Sequence, residues 1–118
     1  MISLVQVIYG KKGSGKTKRL IDMANDAVKE QQGDLYFVDD DNRYMFDLRH
    51  EIRFVNAGEY HIHTPETFIG FISGLIAANF DVNAVYIDAF LKLIKDKQRL
   101  HLLVIIILGK VLAMNEFP

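Results

Sequence analysis

The sequence contains no cysteine. Disulfide bonds, thiolate zinc sites and cysteine nucleophiles are therefore excluded. A chain without disulfides fits the reducing conditions of the cytoplasm, which is the location that we expect for this protein. Internal repeats and low-complexity segments are also missing.

Long hydrophobic runs are absent as well. The longest uninterrupted apolar run is Leu102–Gly109, whereas a transmembrane helix needs about 20 apolar residues. The first residues, Met1–Tyr9, lack the basic start and the small-residue cleavage site of a signal peptide. We therefore expect neither membrane insertion nor a signal peptide.

Neither sign of charge dominates the chain. Its 14 Lys and Arg residues and 15 Asp and Glu residues give a formal net charge of −1. This balance argues against binding of nucleic acid or of an anionic membrane by the whole surface. Half of the residues are apolar and a quarter are charged, as in ordinary globular proteins. A length of 118 residues predicts one domain, spanning 1–118, with a single core.

Strand and helix patterns alternate along the sequence. Short runs rich in Val and Ile predict strands at Leu4–Tyr9, Leu35–Val38, Ile52–Val55, Ala84–Asp88 and Leu102–Leu108. Helical spacing and helix-start residues predict helices at Lys16–Gln32, Pro65–Asn79 and Ala89–Lys97. This alternation predicts an α/β fold, a three-layer sandwich around a mainly parallel sheet of about five strands.

Four segments carry more specific expectations. Gly33 is expected to end the first helix, and Thr64 is expected to cap the helix that begins at Pro65. Since Leu102–Leu108 is apolar on both faces, we expect it in the middle of the sheet. The tail, Lys110–Pro118, is expected to form a short helical turn.

The most informative stretch follows the first predicted strand and matches G-x-x-x-x-G-K-[ST] in full. Its glycines let backbone N–H groups point at phosphate oxygens, and the following helix adds its positive end. Lys16 is expected to contact the β- and γ-phosphates, and the Thr17 hydroxyl is expected to bind Mg²⁺. The predicted phosphate-binding residues are Gly10, Lys11, Lys12, Gly13, Ser14, Gly15, Lys16, Thr17 and Lys18.

This segment resembles the Walker A motif of the P-loop NTPase superfamily. The likeness covers residues 4–31 directly and the rest of the chain by architecture, and the whole chain resembles small uncharacterised bacterial ATP-binding P-loop proteins. The resemblance implies a nucleoside triphosphate and Mg²⁺ as ligands. ATP is favoured over GTP because the guanine-reading N-K-x-D motif is absent.

An acidic residue is needed to hold the Mg²⁺ of such a site. The run Ala84–Asp88 fits the Walker B pattern, an apolar strand that ends in Asp. We therefore predict Asp88 as the metal-side acid and assign it, with Lys16, to the catalytic group. The alternative is that Asp88 caps the predicted helix Ala89–Lys97.

The order of these segments resembles the RecA-like branch of the superfamily. In that branch, the strand after Walker B inserts between the loop strand and the Walker B strand. Strong ATPases of the branch often have a Glu directly after the Walker B Asp, where this chain has Ala89. We therefore expect slow or partner-assisted hydrolysis, or a reaction other than hydrolysis. The other acids that could orient water are Glu51, Glu59, Glu66 and Glu116.

Three acids, Asp39, Asp40 and Asp41, follow the second predicted strand. Because ligands of parallel α/β sheets bind at the carboxyl edge, these acids are expected near the nucleotide, where they hold metal or a substrate hydroxyl or stay in a solvated loop. The stretch Asp41–Tyr44 resembles a short segment of thymidine kinases. Those kinases also use a Glu beside the Walker B Asp and a cysteine-held zinc, and this chain has neither.

Histidine and arginine give weaker indications. His61 and His63 share a face if their segment is extended, which can begin a metal site, although a surface role is the more common one. The candidates for sensing the γ-phosphate are Arg43, Arg49, Arg53 and Arg99. For each of them, a salt bridge or a solvated position is the more common role.

The sequence thus predicts a Mg²⁺- and ATP-binding domain, and three functions stay open. It acts as a slow or partner-assisted ATPase or switch, as a small-molecule kinase, or as a sensor that binds nucleotide without turnover. A second subunit or a protein partner that covers Leu4–Tyr9 is a further hypothesis.

Overall fold

The computed structural model of the chain describes residues 6–8, 15–30, 33–79, 81–88 and 113–115. Helix α1 spans Lys16–Val28. Four apolar side chains on one of its faces are buried, because they recur at helical spacing: Leu20, Ile21, Ala24 and Val28. The predicted end of this helix is wrong. Gly33 does not stop the helix, which ends at Val28 and is followed by a turn at Lys29.

Helix α2 spans Pro65–Ala78, one residue shorter than predicted. The predicted cap is confirmed: the Thr64 side chain accepts a hydrogen bond from the Thr67 N–H at 3.1 Å, and the Thr67 hydroxyl accepts one from the Thr64 N–H at 3.0 Å. This reciprocal pair satisfies N–H groups that the first turn cannot use. The described part of the chain also contains a short 3₁₀ helix at Met45–Asp47, and none of its helices is long and apolar enough to cross a membrane.

Three strands form the main part of a parallel sheet: β2 at Asp34–Asp39, β3 at Arg53–Asn56 and β4 at Val82–Ile87. β2 lies between the other two. Two three-residue strands, β1 at Gln6–Ile8 and β5 at Ala113–Asn115, continue the sheet beyond β4, so that the order is β1-β5-β4-β2-β3. The structure therefore confirms an α/β fold with a parallel sheet.

One secondary-structure prediction for the carboxyl-terminal part of the chain is wrong. Ala113–Asn115 is a strand and not the helical turn that the sequence predicted for the tail. This strand occupies the position between β1 and β4 that we expected the strand after Walker B to take. Its neighbours on both sides supply backbone partners to β5, which a helical turn would not use. The predicted elements Ala89–Lys97 and Leu102–Leu108 lie outside the described residues.

The two helices pack on opposite faces of the sheet. The α1 face buries alternate residues of β2 and β4, namely Leu35, Phe37, Ala84 and Tyr86. The α2 face buries the residues between them, with Phe68 and Ile72 of the helix against Val38, Val85 and Ile87. This alternation follows from the two-residue period of a strand. The described core thus consists of two apolar clusters separated by one sheet.

The register of β2 on β4 shifts near the start of the two strands. Asp34 pairs with Val82, but Leu35 pairs with Ala84, so β4 contains one extra residue, Asn83. Gly33 lies beside this bulge, where a Cβ atom on it would overlap the carbonyl oxygen of Asp81. Gly33 is thus needed for a close approach between two chain segments and not for ending α1.

Because of this close approach, Gly33→Ala should destabilise the protein by about 1–3 kcal/mol. Thermal unfolding checks the change, and a fall in Tm of about 5 °C or more is expected. Gly70→Ala is the matched control, since a Cβ atom on Gly70 meets nothing within 4 Å. In the interior of α2 it should stabilise by about 0.5–1 kcal/mol. Equal Tm changes in the two variants would contradict this role of Gly33.

Candidate functional site

Thr17 and Asp88, the two predicted Mg²⁺ ligands, contact each other in the fold. Thr17 is the second residue of α1, and Asp88 follows directly after β4. The Thr17 hydroxyl donates to the Asp88 carboxylate, at 3.1 Å from Oδ2 and 3.3 Å from Oδ1. The backbone N–H of Asp88 donates to the Val38 carbonyl at 2.8 Å, which fixes the start of the loop after β4. The sheet thus places a carboxylate at the amino end of α1.

Lys16 is the first residue of α1 and is only 7% exposed. A lysine ammonium is seldom so buried unless nearby groups compensate its charge. The preceding residue, Gly15, has a left-handed backbone with φ of 83°, a conformation that favours glycine. A residue other than glycine would therefore be strained at the described end of the predicted phosphate loop. Five of its residues lie outside the described part of the chain: Gly10, Lys11, Lys12, Gly13 and Ser14.

Lys18 lies on the exposed side of the first turn of α1. Its Nζ atom pairs with Asp22 at 3.0 Å, and its side chain is 81% exposed. Its side chain therefore occupies a different environment from the buried Lys16, and its predicted role in phosphate binding stays a prediction.

Asp39 ends β2 next to Asp88 and is 2% exposed. Its Oδ1 atom accepts a hydrogen bond from the Asp40 N–H at 2.7 Å, whereas its Oδ2 atom has no hydrogen-bond partner among the described residues. Burial, a hydrogen bond with the Asp40 side chain and the negative charge of Asp88 raise the pKa of Asp39 to about 8, although the hydrogen bond from the Asp40 N–H acts in the opposite direction. The edge of the sheet therefore holds two buried carboxylates side by side.

The sequence predicted that Asp39 lies at the carboxyl edge of the sheet, but it did not predict that Asp39 lies beside Asp88. Both acids follow apolar runs, which was the available signal. The signal was insufficient because it does not say that β2 and β4 are neighbours. That information depends on strand order, which the sequence leaves open.

The stretch that resembles thymidine kinases forms a local turn. Asp41 accepts from the Arg43 N–H at 2.8 Å and pairs with the Arg43 guanidinium at 2.9 Å. The guanidinium also lies 5.5 Å from the centre of the Tyr44 ring. Arg43 is therefore held by its neighbours on the surface.

The other predicted polar residues are distributed over the surface. Arg53 pairs with Asp34 at 3.4 Å, near the amino ends of their strands. Arg49 and Glu51 pair at 3.5 Å in the loop before β3. Glu59 and Glu66 are exposed, and Arg99 and Glu116 lie outside the described residues. None of the three candidate glutamates that the structure describes, Glu51, Glu59 and Glu66, is buried as Asp39 is.

The two histidines lie in the exposed loop after β3. The rings of His61 and His63 are 6.1 Å apart and nearly perpendicular, and His61 has a positive φ of 59°. In the described part of the chain, the group of three or more side chains with metal-ligand spacing is formed by aspartates, not by these histidines.

The raised pKa of Asp39 predicts a pH-dependent stability. A carboxyl group with a higher pKa in the folded state binds its proton more tightly there than in the unfolded state. Asp39 therefore stabilises the fold below pH 4, and this contribution is lost as the pH rises towards about 8. Since Asn stays neutral, Asp39→Asn should be more stable than the wild type at pH 8, by about 5 °C in Tm or more, and the gain should shrink at pH 5.

Thermal unfolding in EDTA across this pH range measures the effect without divalent cations. Asp47→Asn, which removes an exposed carboxylate, controls for the change in net charge. A gain from Asp39→Asn that is the same at pH 5 and pH 8 would show that the ionisation of Asp39 is not opposed by the fold.

A scan against protein-family models and searches of the curated proteins and of the solved structures found no match to this chain.

Proposed function

We propose that the protein binds a nucleoside triphosphate with Mg²⁺, ATP in preference to GTP, at the carboxyl edge of its sheet. The observation that carries the proposal is the contact between Thr17 and Asp88, residues that are 71 positions apart in the sequence. The sequence predicted the hydroxyl ligand from the Walker A motif, and given that motif it predicted the acidic ligand from the apolar run that ends in Asp88. Their contact at the amino end of α1 supports reading both as parts of one metal site.

The residues fit the proposed cation by their chemistry. Mg²⁺ prefers hard oxygen ligands, and it is usually bound by one or two protein side chains together with water and substrate phosphates. The Thr17 hydroxyl and the Asp88 carboxylate supply two such oxygens. When bound, Mg²⁺ neutralises negative charge on the phosphates.

The positive groups at the amino end of α1 fit the phosphates. The first N–H groups of α1 have no partner within the helix, so they favour an anion at this end. Lys16 adds an ammonium at the same end. In the predicted P-loop sandwich, β1 leads into the phosphate loop and the loop leads into α1. The strand β5 then lies between β1 and β4.

Asp39 favours a reaction over binding alone. A buried carboxylate beside the metal-side acid has one oxygen without a hydrogen-bond partner among the described residues. Such an oxygen can hold a water molecule or an acceptor hydroxyl near the phosphates. The first case gives slow or partner-assisted hydrolysis, and the second gives a small-molecule kinase.

Calorimetry of the full chain with ATP, in Mg²⁺ and in EDTA, tests the proposal, and phosphate release is followed in the same samples. We expect binding that Mg²⁺ strengthens, with GTP weaker than ATP. Phosphate release without an acceptor would identify an ATPase, and turnover only with an added acceptor would identify a kinase. An absence of binding to either nucleotide in Mg²⁺ would contradict the proposal.

A further inference from the structure

Three consecutive carboxylates after β2 lie close together. Asp39, Asp40 and Asp41 each place one ligand oxygen within 4.8 Å of the others. The backbone that carries them is held by the chain after β3. The Ala57 N–H donates to the Asp39 carbonyl at 2.8 Å, and Gly58 approaches the Asp40 carbonyl so closely that a Cβ atom would collide with it.

A buried oxygen distinguishes this cluster from an ordinary solvated acidic loop. Oδ2 of Asp39 belongs to a residue that is 2% exposed, and it has no hydrogen-bond partner within the described part of the chain. Leaving a buried carboxylate oxygen without a partner is costly. A cation bound to the cluster would satisfy this oxygen.

The spacing of the oxygens allows one divalent cation to contact all three residues. One ligand oxygen of each residue lies within 4.8 Å of the others, and two oxygens on one Ca²⁺, each about 2.3–2.6 Å from the ion, can lie up to about 5 Å apart.

We propose that Asp39, Asp40 and Asp41 form a second divalent-cation site, which binds Ca²⁺ or Mn²⁺ in the absence of nucleotide. The site goes beyond the proposed binding of Mg²⁺ and ATP by Thr17 and Asp88. It has a physical reason to exist beside that site. Ionised acidic side chains at this edge repel a polyphosphate, and a cation bound among them reduces this repulsion.

Mn²⁺ binding to the metal-stripped full chain, followed by the electron paramagnetic resonance signal of free Mn²⁺, tests the site. Without nucleotide, the wild type should bind about one Mn²⁺ with a submillimolar Kd, and Ca²⁺ should displace it. The variant Asp40→Asn/Asp41→Asn should bind at least about tenfold more weakly, because two of the three charged ligands are lost. The single variant Asp40→Asn should be intermediate.

The control variant Asp22→Asn/Asp26→Asn also removes two carboxylates, from the exposed face of α1, and it should bind Mn²⁺ as the wild type does. Asp88→Asn should also keep the nucleotide-independent Mn²⁺. The proposal is overturned if the wild type binds no Mn²⁺ without nucleotide, if both double variants bind equally, or if Asp88→Asn alone removes the ion. Calorimetry with ATP separates the two proposals. If the wild type binds ATP but binds no Mn²⁺ without nucleotide, only this cation site is contradicted. If it binds Mn²⁺ without nucleotide but does not bind ATP, only the proposed function is contradicted.

Discussion

Replacing Lys16 by alanine should weaken ATP binding by about 100-fold, because under the proposed function the variant loses a charge-assisted contact to the phosphates. The expectation rests on the position of the side chain. Lys16 is buried at the amino end of α1, next to the residue that contacts Asp88. Calorimetry with Mg²⁺ and ATP measures the change in Kd directly.

Lys29→Ala is the matched control for this prediction. Lys29 follows the other end of α1, is largely exposed and pairs with Asp26 at 3.7 Å, so its loss changes the net charge equally but should leave Kd unaltered. Thermal unfolding of both variants shows whether they are folded. A folded Lys16→Ala variant that binds ATP as tightly as the wild type would exclude Lys16 as a phosphate ligand.

Asp88→Asn should remove the response of ATP binding to Mg²⁺. In the wild type, Mg²⁺ is expected to strengthen ATP binding relative to EDTA. The amide keeps one oxygen to accept the Thr17 hydroxyl but is uncharged, so Mg²⁺ should bind about 10- to 100-fold more weakly. The measured Kd for ATP should then be similar in Mg²⁺ and in EDTA.

Asp81→Asn provides the comparison for Asp88→Asn. Asp81 is exposed and precedes β4, at the opposite end of the same strand. This variant should keep the full effect of Mg²⁺. If Asp88→Asn keeps it as well, Asp88 does not hold the metal, and the alternative that it caps a following helix gains support.

The sequence predicted the secondary structure where local chemistry decides it. Thr64 and Pro65 mark the start of α2 because a side-chain hydrogen bond and a fixed φ act within one turn. The prediction failed at Gly33, where the requirement for glycine comes from Asp81, a residue distant in sequence. It also failed at Ala113–Asn115, which is a strand because of the strands on either side of it.

The same distinction applies to the candidate site. Lys16, Thr17 and Asp88 could be predicted because a motif fixes their spacing or because an acidic residue ends an apolar run. The burial of Asp39 beside Asp88 could not, since it depends on the order of the strands and on their register. The unpartnered Oδ2 atom is likewise visible only in three dimensions.

The extra residue in β4 makes the length of this strand as important to the site as its composition. Beyond Asn83, Val38 lies opposite Ile87, and the two acids that follow them leave the sheet as neighbours. Without the extra residue, the register set by Asp34 and Val82 would place Asp39 opposite Ile87, and Asp88 would lie one position further along. An insertion or deletion near Asn83 lies about 16 Å from the carboxylates, at the other end of the strand. It would therefore misalign the two carboxylates without replacing either of them. Changes in chain length near Asn83 should be tolerated less well than substitutions at the same positions.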